Sequence, residues 1–207
     1  MNGTLFNDEP VCVRIPLPDA DVLLYRRFDL GIDDGECLSE LVREIAWREE
    51  TVTLWGKTFL QPRLVAWYGD PGASYRYSGK RFDPLPWTPL VDSLRRKVEA
   101  ATGATFNSVL ANYYRDHRDS VAMHSDDEPE LGAEPCIASL SLGETRTFVL
   151  QHRTDKSVKS MRIPLGSGSL LVMKGTTQRF WQHAIPKEKS PCGPRVNLTF
   201  RRIVRAS

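Results

Sequence analysis

The sequence has little that would tie it to an oxidising compartment, a membrane or a polyanion by bulk charge. Its four cysteines, Cys12, Cys37, Cys136 and Cys192, are widely scattered without a CxxC pair. That spacing argues against a disulfide scaffold or a thiolate zinc site and suits free thiols in a reducing cytosol. No basic head followed by an apolar run opens the chain, and no apolar stretch approaches the roughly 20 residues of a membrane span. The expectation is a cytoplasmic protein, nucleoid-associated if bacterial, with no membrane partner. An excess of one charge is missing too, with 28 basic against 26 acidic residues. A net +2 does not by itself indicate a nucleic-acid partner. Local clusters remain: His152, Arg153, Lys156, Lys159 and Arg162; the C-terminal Arg195, Arg201, Arg202 and Arg205; and the acidic Asp126, Asp127, Glu128 and Glu130. No internal repeat or low-complexity tract is evident.

What is present describes one loop-rich globular domain, 1–207, with 41% hydrophobic residues and 14 each of Gly and Pro. Two helices are expected in the first half. One spans about Cys37 to Glu50, with Leu38, Leu41, Val42, Ile45 and Ala46 on one face. The other spans Pro89 to about Thr102, with Thr88 as N-cap, Pro89 at the first helical position and Gly103 as the stop. From Phe106 onward the hydrophobic period becomes two. Strands are expected over 106–114, 136–141, 147–152, 161–165, 169–173, 180–184 and 195–204. The fold class is α+β, mainly β: a jelly roll or sandwich core over about 106–207, with helices of the extension 1–105 packed outside. Between the helices, 51–87 reads as one or two hairpins and a long loop.

His124-Ser125-Asp126 places an imidazole and a carboxylate two residues apart, where an extended backbone projects both to one side. A third ligand is available in His183, on a later strand. Two His and one carboxylate on one face leave positions open, the arrangement of non-haem iron(II) oxygenases. The other histidines, His117 and His152, lack spacing for a three-His zinc site. On the last strand Arg195, Asn197, Thr199 and Arg201 alternate with Val196, Leu198 and Phe200 and share a face. A solvent-facing sheet gives the same pattern, but a dicarboxylate also needs fixed guanidinium forks. Asn112 and Tyr114, two apart on an earlier strand, offer an amide and a phenol to such a ligand.

The segments Asn112-Tyr113-Tyr114, His124-Ser125-Asp126-Asp127-Glu128, Ser139-Leu140-Ser141-Leu142-Gly143, Trp181-Gln182-His183 and Pro194 to Arg201 occur in an order and spacing that resembles the AlkB-type nucleic-acid dealkylating dioxygenases. The similarity runs from Pro62 to Ile203, about two-thirds of the chain. It implies a double-stranded β-helix with His124, Asp126 and His183 as iron(II) ligands. It also implies 2-oxoglutarate held by Asn112, Tyr114, Arg195, Asn197, Thr199 and Arg201, with Arg195 at the distal carboxylate. Implied chemistry is O2-dependent decarboxylation of 2-oxoglutarate to succinate, with hydroxylation of a base N-alkyl group that then leaves as aldehyde.

The partner implied is alkylated DNA, single- or double-stranded, with RNA open, acted on by a monomer. Leu54-Trp55-Gly56-Lys57 resembles the hairpin that enters a duplex beside an extruded base in the duplex-preferring branch. Tyr75, Arg76, Tyr77 and Ser78 resemble a substrate lid whose rings can stack on a base, with Arg63 nearby. Asp127 or Glu128 offers a carboxylate to a base made cationic by methylation, such as 1-methyladenine or 3-methylcytosine. Two other readings stay open at this level: an oxygenase of the same fold acting on RNA, protein or a small molecule, and a β-sandwich module that binds nucleic acid without catalysis.

Overall fold

The computed structural model describes residues 12–54, 56–77 and 80–204. The described chain opens with the antiparallel pair β1 (Val13–Ile15) and β2 (Asp21–Tyr25), followed by helix α1 (Asp34–Glu44). Asp33 caps α1, its carboxylate accepting from the amides of Gly35 and Glu36. The helix lies about three residues earlier than the apolar stripe suggests and stops well short of Glu50. Ile45 is already extended at φ −71, ψ 133, and the β-branched alternation beyond it forms β3 (Arg48–Leu54).

β3 pairs antiparallel with the long strand β4 (Lys57–Gly69), Leu54 lying opposite Lys57. A second hairpin, β5 (Tyr75–Tyr77) and β6 (Lys80–Phe82), precedes α2 (Pro89–Thr102). Helix α2 begins and ends as its sequence signals dictate. The Thr88 hydroxyl accepts from the Val91 amide, and Gly103 adopts a left-handed φ of 68 that lets its amide reach Glu99 O.

The second half supplies β7 (Ser108–Tyr114), β8 (Val121–His124), β9 (Ile137–Gly143), β10 (Arg146–His152), β11 (Met161–Leu165) and β12 (Ser169–Lys174). The short helix α3 (Thr177–Phe180) then leads into β13 (Trp181–Ile185) and β14 (Arg195–Arg201). Phe180, expected on a strand, closes α3 instead.

The larger sheet has the order β1-β2-β12-β9-β14-β7-β4-β3 and the smaller β11-β10-β13-β8. Strands from before residue 105 therefore extend both edges of the sheet that carries the later ones. One apolar cluster joins α1 and α2, through Cys37, Leu41, Val91, Leu94 and Val98, to Val196, Leu198 and Phe200 on the outer face of the large sheet. A second, with Phe148, Leu150, Ile163, Leu171 and Trp181, fills the space between the sheets. This is the jelly roll with helices outside. A Leu41→Ala cavity in the first cluster would cost about 2–5 kcal/mol. Among the described residues no helix is long and apolar enough to cross a membrane.

Candidate active site

Strand β8 is the edge of the small sheet, and its ladder with β13 sets His183 opposite His124. The two rings lie 4.3 Å apart at 56°. Asp126 follows just beyond the strand, its Oδ1 3.8 Å from His124 Nε2. One ligand atom from each of His124, Asp126 and His183 falls within 4.8 Å of the others, the one such cluster among the described residues. His152, by contrast, sits elsewhere, its Nδ1 accepting from the Asp155 amide.

Hydrogen bonding and burial prepare the three side chains for a cation. His124 Nδ1 lies 2.8 Å from Ala122 O; as the N–H it donates there and leaves the Nε2 lone pair facing Asp126. His183 is stacked on Phe148 and buried. Burial, reinforced by His124 and opposed by Asp126, pushes its pKa down to about 3, so the ring is neutral. At Asp126 burial favours the acid, but Arg201, His183 and His124 together hold its pKa down to about 2. The direct contact is Arg201 Nη2 to Asp126 Oδ1 at 2.7 Å. Asp126 Oδ2 and His183 Nδ1 are buried with no hydrogen-bond partner among the described residues. Two imidazoles, that of His183 held neutral, and an ionised carboxylate with an unmet oxygen fit a divalent ion of the iron type.

Strand β14 is central, between β9 and β7, and all seven of its residues are buried. Its polar side therefore faces the interior of the roll rather than solvent. Register places Arg195 opposite Tyr114 and Asn197 opposite Asn112. The six residues expected to hold the keto acid line one cleft together with His124, Asp126 and His183. Their capacities differ. Asn197 donates to Ser139 Oγ and Leu140 O and accepts from Thr199 Oγ1, while Asn112 Oδ1 accepts from Arg63 Nε at 2.7 Å. Arg201 is engaged with Asp126.

Arg195 is a buried cation with spare donors. Its Nη2 donates to Ser141 Oγ, but Nε and Nη1 have no partner among the described residues. Burial pushes its pKa down and Tyr114 pulls it up, the guanidinium carbon lying 5.0 Å from the Tyr114 ring centre. An unpaired guanidinium so placed calls for an anion.

Sequence reasoning gave no role to four contributors. Arg146 is fully buried, its guanidinium carbon 5.4 Å from the Tyr114 ring centre, and donates to the carbonyls of Asp116, Asp119 and Pro186. Ser139 and Ser141, two apart on the otherwise apolar β9, supply the hydroxyls for Asn197 and Arg195; that period-two pair was the available signal. Gln178 accepts from the Asp126 amide at 2.9 Å, a contact across 52 residues with no sequence signal.

The expected substrate residues are less gathered. Arg63 is buried and lines the cleft. Gly56 has φ 73 with open space around it, and Lys57 beside it is exposed. Asp127 is exposed and paired with Arg153 at 2.7 Å, so its carboxylate is not free in this conformation. Glu128 is half-buried just before a 3-10 turn, Pro129–Leu131. Tyr75, Arg76 and Tyr77 have β5 backbone; Trp55 and Ser78 lie outside the described residues.

Residues 33–201 match the family described as the 2OG-Fe(II) oxygenase superfamily. The human alpha-ketoglutarate-dependent dioxygenase alkB homolog 3 is 45% identical over 174 residues, 80% of this chain and 60% of that protein. Human DNA oxidative demethylase ALKBH2 is 40% identical over 178 residues, covering 82% and 68% respectively. The Arabidopsis thaliana ALKBH2 is 36% identical over 210 residues, covering 89% and 67%. The chain thus spans about 60% of the length of the alkB homolog 3 proteins. A solved structure titled as that of OsALKBH1 superposes with a TM-score of 0.62 at 17% identity, covering 91% of this chain and 99% of the other; at that identity the likeness concerns the fold.

Proposed function

Because the chain belongs to the 2OG-Fe(II) oxygenase superfamily and, within it, to the AlkB-type dioxygenases, we propose that it removes alkyl groups from N-alkylated bases of DNA. The observation that carries this reading is the convergence of His124, Asp126 and His183 in a cleft that also holds the unpaired Arg195. In this reading the three ligate iron(II), and Arg195 takes the distal carboxylate of 2-oxoglutarate. Tyr114, Asn112, Asn197 and Thr199 shape the slot between, while Arg201 keeps Asp126 ionised. When bound, iron, 2-oxoglutarate and O2 supply the oxidation that turns an N-alkyl group into one that leaves as aldehyde, with succinate and carbon dioxide released.

The chain's own work is positioning. β8, β13 and β14 hold the donors on rigid strands, and Phe148 walls the His183 ring from water. Lid residues Tyr75, Arg76, Tyr77 and Ser78 close over an extruded base, the Trp55-Gly56-Lys57 tip enters the gap it leaves, and Arg63 lies beside the reacting group. Asp127 and Glu128 favour a base made cationic by methylation. The protein acts as a monomer on nucleic acid in the compartment that holds it, the cytoplasm.

The DNA assignment draws on the similarity to the DNA oxidative demethylase ALKBH2 proteins. Its test is incubation with iron(II), 2-oxoglutarate and oligonucleotides carrying 1-methyladenine or 3-methylcytosine. Base reversal with matching succinate supports it; succinate formation without DNA repair moves the substrate to RNA, protein or a small molecule.

A further inference from the structure

Asp126 is held by more than the strand it follows. β8 ends at His124, its sole neighbour is β13, and their register slips between His183 and Ile185. The ladder therefore does not extend to the Asp126 amide, although the residue is only 2% exposed and an unmet buried N–H is costly. The acceptor is Gln178 Oε1 at 2.9 Å, from the short helix that runs directly into β13.

Gln178 is itself 2% exposed, and its Nε2 lies 3.5 Å from Met173 Sδ. Sulfur accepts weakly and cannot donate, so the amide has one workable orientation, oxygen toward Asp126 and nitrogen toward the sulfur. One residue before Asp126, Ser125 Oγ donates to Trp181 O at 3.0 Å. Two side-chain hydrogen bonds thus fasten the residues just after His124 to the segment just before His183.

We propose that Gln178 and Ser125 are positioning residues that set the Asp126 carboxylate against His183, and thereby set the affinity and geometry of the bound divalent cation. This rests on the metal reading of the site above. Gln178 is not among the cleft-lining residues, so its influence passes through Asp126. Ligand distances in a metal site fall within about 0.2 Å of their characteristic values. A carboxylate placed beyond the end of an edge strand needs such a tether to stay within that range.

The experiment is a cobalt(II) titration of the purified protein, followed by visible absorption. Wild type binds, and His124→Ala abolishes binding; a wild type that does not bind sinks the metal reading itself rather than this inference. For Gln178→Leu, folded by circular dichroism, the expected result is cobalt affinity weaker by about 10–100-fold with shifted or broadened bands. Gln178→Glu keeps an acceptor oxygen and recovers most of both, and Ser125→Ala shows a smaller loss in the same direction. The inference is overturned if Gln178→Leu binds with wild-type affinity and spectrum, or if Gln178→Glu is no better than Gln178→Leu. Should Gln178→Leu fail to fold, Ser125→Ala decides, and a wild-type affinity and spectrum there overturns it.

Discussion

Arg201 and Asp126 form a salt bridge of 2.7 Å in which neither partner is more than 6% exposed at its side chain. The pair links the last strand of the large sheet to the segment that follows the edge strand of the small one. Removing the cation would leave a buried carboxylate beside two imidazoles without its nearest counter-charge. Arg201→Met is therefore expected to destabilise the metal-free protein by about 3–5 kcal/mol, read by urea denaturation. Added manganese(II) should restore part of the loss, since a divalent cation replaces the missing charge.

Arg195 should behave in the opposite way. It is buried without an anionic partner among the described residues, so Arg195→Met is expected to leave metal-free stability at or above wild type. With manganese(II) present, 2-oxoglutarate at a hundred times its Kd stabilises the wild type by about 2.7 kcal/mol. The variant at the same concentration should show almost none of that gain. Denaturation with and without the keto acid checks both halves.

The pH dependence of the metal-free protein follows from His183. Its folded pKa is depressed to about 3, below the ordinary value near 6.5. The unfolded chain takes up a proton that the folded one refuses, so the contribution is complete above about pH 6.5 and is lost as pH falls toward 3. The slope from this one group approaches about 1.4 kcal/mol per pH unit. Stability measured in chelator from pH 8 to 4 should fall accordingly, and His183→Gln should flatten the curve over that window.

Cys37 reports on how α1 docks. It is fully buried, and burial followed by Asp34, Glu40 and Glu44 raises its pKa to about 11. At pH 8 the thiol stays protonated and shielded. Iodoacetamide should label it only after denaturation, as mass spectrometry of the native and unfolded protein would show; rapid native labelling would mean that α1 detaches from the sheet.

Trp55→Ala addresses the hairpin tip next to Gly56. A residue that fills the gap left by an extruded base matters in a duplex and little in a single strand. Duplex repair should fall several-fold more than single-strand repair, and equal losses would remove the wedge role.

How much of this could be read from sequence depends on how local the cause is. The bounds of α2 were readable because Thr88, Pro89 and Gly103 each act within a turn. Helix α1 was misplaced because Ile45 and Ala46 continue an apolar stripe by spacing alone. The Asp33 cap and the extended Ile45 decide the matter, with the Ala46 amide turning to donate to the Tyr68 hydroxyl. Strands β1 and β8 are short enough to escape a period-two reading, and β8 has no fully buried residue; β2, as long as β11, also went unread. The polar alternation of Arg195, Asn197, Thr199 and Arg201 was plain, but period two cannot tell a solvent face from the polar interior of a roll. Packing of β14 between β9 and β7, beneath two helices, settles which it is. Gln178 was invisible because its role depends on contacts made only after folding.

In the proposed reading, one cleft holds a ferrous ion on His124, Asp126 and His183 beside a keto acid on Arg195. Anaerobic addition of iron(II) and 2-oxoglutarate tests it most directly. A visible charge-transfer band should appear only with both additions and disappear in His124→Ala, Asp126→Ala and His183→Ala; no band in the wild type, or a band that survives all three substitutions, would contradict this metal and keto-acid site.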